Sequence, residues 1–115
     1  MTIEKYEQSV HENCKQGAAY TLLKRVVSAF EDRKMEVDFI NGIGFGTGRT
    51  TGETYISVEE ISKHNGAKEN VSVSIRLYRM TAPTSARLVF SVKVPKDSSE
   101  KVINNRIDKI MEAKV

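Results

Sequence analysis

Apolar residues recur at helical spacing in the first third of the chain and alternate with polar ones through the middle. Ile3, Tyr6, Val10 and Cys14 are spaced three, four and four residues apart, which lines them along one helical face. Thr2 is placed to cap that helix, with Glu4 and Glu7 near the positive end of its dipole. Gly17 interrupts the stripe, and a glycine inside a helix costs about 1 kcal/mol relative to alanine. From Ala19 the stripe resumes as Leu22, Leu23, Val26, Val27 and Phe30, wider and more apolar than before. The pattern predicts one long helix from Thr2 to about Lys34, bent near Gly17, or a pair of helices.

The period then changes from 3.6 to 2. Val37, Phe39, Ile43 and Phe45 alternate with Glu36 and Asp38, which predicts a half-buried strand over 35–45. A second strand is expected from Thr54 to Lys63. Asn65-Gly66 carries the strongest turn signal, because both residues tolerate the positive φ of a type I′ hairpin. A two-residue loop there pairs Val58 with Val73 and Ile56 with Ile75 on one face. It pairs Tyr55 with Arg76 on the other. A slip of one residue would mix the faces. A polar turn over 81–86 closes the next hairpin at Met80–Arg87, pairing Leu77 with Phe90 and Tyr78 with Val89. Pro95 ends that strand, since it has no donor for the ladder.

A last helix opens at Asp97-Ser98-Ser99-Glu100, with Asp97 as cap and Glu100 in a capping-box position. Ile103, Ile107, Ile110 and Met111 form its stripe. The expected fold is therefore α+β: a two-layer sandwich in the order α-β-β-β-β-α, a four-stranded antiparallel meander with the helices on its apolar face. Residues 1–115 read as a single domain, the usual size for one core. The outer sheet face is expected to be open or covered by a partner.

Composition adds limits. With 39% hydrophobic and 29% charged residues the chain matches ordinary globular proteins, and no apolar run approaches the roughly 20 residues of a membrane helix. The first residues carry acid and no apolar signal core. One cysteine, Cys14, makes no internal disulfide, and a reducing, cytoplasmic setting is the expectation. The net charge of +3 is uneven: residues 71–115 hold nine basic and four acidic side chains. A basic segment attracts phosphate backbones.

Five of the seven glycines fall within 41–53. This stretch does not match a phosphate loop: Ile43 stands where the first Walker glycine belongs, and Arg49 stands in place of the lysine. A strand also follows it, where phosphate loops need a helix. Glu7, His11 and Cys14 share one helical face, but no fourth metal ligand is near and Cys14 belongs to the apolar stripe. Asp38, Glu59, Glu60 and Lys63 offer the residue types of a Mg²⁺-dependent nuclease, without its usual Glu-x-Lys spacing. No cofactor or metal is implied.

The richest surface is the outer sheet face, where Tyr55, Arg76, Tyr78, Arg87 and Lys93 are expected among small serines, with Arg49 at the tip of the glycine-rich stretch. Interleaved aromatic and basic residues suit single-stranded nucleic acid, by stacking and phosphate contact. The same composition suits a protein interface. The expectation is a non-enzymatic binding or regulatory protein that takes single-stranded nucleic acid on this face. The alternative is a protein–protein module, such as a homodimer or a small inhibitor or adaptor of a larger enzyme. A metal-dependent nuclease is the third reading.

Overall fold

A computed structural model of the chain describes residues 1–12, 15, 17–44, 49–65 and 68–114, with the backbone alone over 62–65 and 68–70. It has the expected α+β architecture. Helices α1 (Ile3–Ser9) and α2 (Ala18–Asp32) come first. Strands β1 (Phe39–Ile40), β2 (Ile43–Gly44), β3 (Thr54–Asn65), β4 (Lys68–Ala82) and β5 (Ser85–Pro95) follow, and α3 (Glu100–Lys114) comes last. The strands form one sheet in the order β2-β1-β3-β4-β5. α2 packs on β3 and β4, and α3 on β4 and β5, so the helices share one face.

The N-terminal stripe divides into two helices. Thr2 Oγ1 accepts the Lys5 N–H at 3.2 Å, the cap its position predicted. α1 stops early because the Ser9 hydroxyl donates to the Tyr6 carbonyl and Val10 turns extended. Gly17, at φ 116°, starts α2 from a conformation that favours glycine. Leu23, Val26, Val27 and Phe30 are wholly buried, opposite Val58, Val73, Ile75 and Leu77 of the sheet and Ile103, Ile107 and Ile110 of α3. Burying each such side chain contributes about 1.5–3 kcal/mol.

The first strand departs most from expectation. Asn41 and Gly42, at φ 50° and 79°, form a two-residue hairpin turn that cuts the 35–45 strand into β1 and β2. The sheet therefore has five strands, and β1 runs parallel to β3 rather than antiparallel. The broken strand also changes phase. Ile40 is buried, and Phe39 lies on the other face, paired with Ser57. Asn41 fixes the corner: its side-chain oxygen accepts the Glu60 N–H at 2.8 Å, and its amide donates to the Tyr6 hydroxyl at 3.2 Å. Phe45, expected to continue the alternation, lies outside the described residues.

The β3–β4 hairpin keeps the expected faces in a register two residues away. Asn65 pairs with Lys68, Val58 with Ile75 and Ile56 with Leu77. A two-residue shift preserves the side-chain alternation, so the apolar pattern does not distinguish the two registers. Tyr55 consequently faces Tyr78, and Arg76 faces Ser57. In the next hairpin Leu77–Phe90 and Arg76–Ser91 pair as expected, but Tyr78 meets Leu88, leaving Val89 as the extra residue of a bulge. Val89 packs against the core.

The final helix is capped by Ser99, whose hydroxyl accepts the Val102 N–H, rather than by Asp97. Glu100 turns away from the cap and pairs with Arg25 of α2 at 2.7 Å.

Candidate functional site

The three described helices lie on or beside the inner face, so none of them covers the outer face of the sheet. Across it runs a row of rings. The Tyr55 and Tyr78 rings stack with centroids 5.1 Å apart and planes 15° from parallel. Phe39 meets Tyr55 edge-on at 5.3 Å. Leu88, 49% exposed, stands opposite Tyr78 in the ladder and extends the row onto β5. The row crosses four strands because β1 lies beside β3 and presents Phe39 outward.

Arg49 closes one end. It precedes β3, and its Nη2 reaches back to Asp38 Oδ1 at 2.6 Å. Its guanidinium carbon lies 5.0 Å from the Tyr55 centroid and 5.8 Å from that of Phe39. The Arg49 guanidinium thus lies over the Tyr55 ring, and Arg76, expected opposite Tyr55, pairs with Ser57. Asp38 is held from its other side, since Oδ2 accepts the Ile56 N–H at 2.8 Å while the Asp38 N–H donates to the Ile56 carbonyl. Gly44 makes the close packing possible. A Cβ there would stand 2.2 Å from the Asp38 carbonyl oxygen and 2.7 Å from the Phe39 ring.

Below the rings lies a polar row. Arg76 pairs with Glu59 at 2.5 Å and donates to Ser74 Oγ at 3.3 Å. Contact with the Tyr78 phenol, seconded by the Glu59 charge, holds Arg76 more firmly protonated against the cost of its partial burial. Ser57 and Ser74 are buried between these longer side chains. Burial raises the Tyr55 phenol above the ordinary tyrosine value, with the neighbouring Tyr78 adding to the shift and Arg49 opposing it.

The six residues expected at this site separate. Tyr55, Tyr78 and Arg49 come together, and Arg76 lies beside them. Lys93, exposed, stands opposite Ser74 farther along the face. Arg87 does not join them: the bulge pairs it with Arg79, out of phase with Tyr78 and Leu88. Phe39, Asp38 and Leu88 were not expected in the site. Phe39 faces outward because the alternation slips between buried Val37 and buried Ile40, three residues apart, and no residue in that run signals the slip.

Of the carboxylates expected in a nuclease set, Asp38 pairs with Arg49 and Glu59 with Arg76. Among the described residues no three His, Cys, Asp or Glu side chains gather as a metal site, and Cys14 lies outside them. No described helix is long and apolar enough to cross a membrane. Compared with protein-family models, curated proteins and solved structures, the chain matches none.

Proposed function

We propose that this is a non-enzymatic protein-interaction module that docks a polypeptide partner on the outer face of its sheet. The observation that carries the reading is the row Phe39–Tyr55–Tyr78 with Leu88, lying on a face that no described helix covers. Tyrosine, phenylalanine and arginine are the residues that dominate protein-interface cores, where charged residues are depleted. Here the two arginines are neutralised by Asp38 and Glu59, so little net charge must be desolvated. Tyr55 is stacked between Tyr78 and Arg49, which leaves its ring unavailable to a nucleic-acid base.

The test is isolation of the tagged protein from its native cells. A Tyr78→Ala/Leu88→Ala variant that still unfolds in one cooperative transition, at a midpoint lowered by the loss of the Tyr55–Tyr78 stack, should lose a polypeptide that the wild type retains. Equal recovery by both would refute the reading.

Single-stranded nucleic acid is the second reading, favoured by the nine basic residues after position 70 and by exposed Lys93 on this face. It requires a gain in anisotropy with a labelled single strand at about 50 mM salt that falls steeply as salt rises. It also requires weaker binding in Arg76→Ala/Tyr78→Ala. No binding at that salt would remove it.

A further inference from the structure

The recess at the Arg49 end of the ring row has the chemistry of a receptor for one functional group. Asp38 supplies a carboxylate oxygen, and Tyr55 and Phe39 supply two ring surfaces. A planar, delocalised cation with several donors satisfies both kinds of surface, whereas a compact, strongly hydrated ammonium does so poorly. We propose that Asp38, Phe39 and Tyr55 form a guanidinium-binding site occupied in cis by Arg49, and that an arginine side chain of the protein partner is the ligand that replaces it. The partner's identity as a polypeptide rests on the function proposed above. The recess does not.

The walls of the site belong to the sheet and are each held by contacts other than Arg49. Asp38 is fixed by two hydrogen bonds to Ile56, of 2.8 and 2.9 Å. Tyr55 is fixed by the Tyr78 stack and by ladder pairing. Phe39 is fixed against the bare backbone of Gly44. The occupant is held less well. Arg49 lies in neither helix nor strand, within the described residues 49–53 that precede β3. Its one hydrogen-bonded contact with the carboxylate is through Nη2, because Asp38 Oδ2 already serves Ile56. Its Nε is buried with no acceptor among the described residues. A buried donor left unsatisfied costs free energy, so Arg49 fills the recess imperfectly. The side chains of Arg49 and Asp38 remain 19% and 28% exposed, so the recess opens to solvent and can be reached from the interaction face. Arginine is also among the side chains most often found at interface hot spots.

The test uses the full chain with Arg49→Ala and ethylguanidinium as probe, at on the order of 1–10 mM, the range expected for a single small group. Amide resonances of Asp38 and Tyr55 and the melting temperature are followed. Arg49→Ala should show saturable shifts and a raised melting temperature with ethylguanidinium, and ethylammonium should bind at least about tenfold more weakly. Wild type should show neither response at these concentrations, because its own arginine competes. Asp38→Asn/Arg49→Ala should lose the response. If Arg49→Ala is unfolded in buffer, refolding by ethylguanidinium but not ethylammonium supports the site, and no refolding overturns it. Equal responses to the two probes, or none in a folded Arg49→Ala, overturn it as well. Such a failure would leave the interface reading standing. Absence of any polypeptide partner would leave the ethylguanidinium response unchanged.

Discussion

Tyr55 and Tyr78 stand directly opposite each other in the β3–β4 ladder, and their rings stack at 5.1 Å. A stacked cross-strand pair of this kind contributes about 0.5–1.5 kcal/mol beyond the area it buries. It also withdraws the Tyr55 phenol from water and so raises its pKa. The folded protein holds that proton to higher pH than the unfolded chain does. Its stabilising contribution is complete below the ordinary tyrosine value of about 10 and declines as pH rises toward the folded-state value. The urea midpoint should therefore fall between about pH 9.5 and 11, and Tyr55→Phe should fall less over the same interval. Parallel declines in the two proteins would show that Tyr55 is not the titrating group.

Gly44 and Gly42, two residues apart, should respond differently to substitution. Gly44→Ala drives a Cβ into the Asp38 carbonyl oxygen. The expected loss lies near the upper end of the roughly 1–3 kcal/mol typical of overpacking. Gly42→Ala meets no atom within 4 Å and suffers only from its φ of 79°. That loss should be about 1–2 kcal/mol, and Gly42→Asn should recover most of it. Denaturant midpoints compare the three.

Asn41→Ala removes the acceptor for the Glu60 N–H and the donor to the Tyr6 hydroxyl, and puts alanine at φ 50°. The expected cost is about 2–3 kcal/mol. Asn41→Asp keeps the acceptor and the turn conformation, and should lose less than half as much. Equal losses would place the role of Asn41 in its amide donor instead.

Those positions also mark where the sequence was readable. The helical stripes, the alternation of β3 to β5 and the choice of inner and outer faces are visible in the residues, because burying one face requires a strict period. The pairing partner is not. Shifting β3 against β4 by two residues keeps Ile56 and Val58 inward, so only the geometry of the turn separates the registers. The bulge at Val89 is similarly hidden, since Leu88, Val89 and Phe90 are all apolar. The break between β1 and β2 was legible in principle. Asn41-Gly42 is as strong a turn signal as Asn65-Gly66, but it sits inside a run that alternates well enough to read as one strand. The site inherited these errors. Tyr55, Tyr78 and Arg76 needed only the correct face. Phe39 needed the slipped alternation, Asp38 needed the broken strand, and Arg87 was lost to the bulge.

Arg33 binds α2 to α3 through the Asn104 carbonyl at 3.1 Å, the Asn104 side chain at 3.0 Å and Asp108 at 2.7 Å. Asp108 is more than half exposed, so solvent weakens that pair. Arg33→Ala should cost about 1–2 kcal/mol, and Arg33→Lys should recover little, because an ammonium cannot span the same three acceptors. Full recovery with lysine would assign the effect to charge alone.

If the ring row is a protein interface, the photo-crosslinker p-benzoylphenylalanine placed at position 78, but not at position 105, will capture the partner when native cells are irradiated. Position 78 lies on the open face, and Asn105 is exposed on α3. Position 78 should give a discrete polypeptide adduct that is missing from position 105. A nucleic-acid adduct at position 78, or the same products from both positions, would contradict a protein interface there.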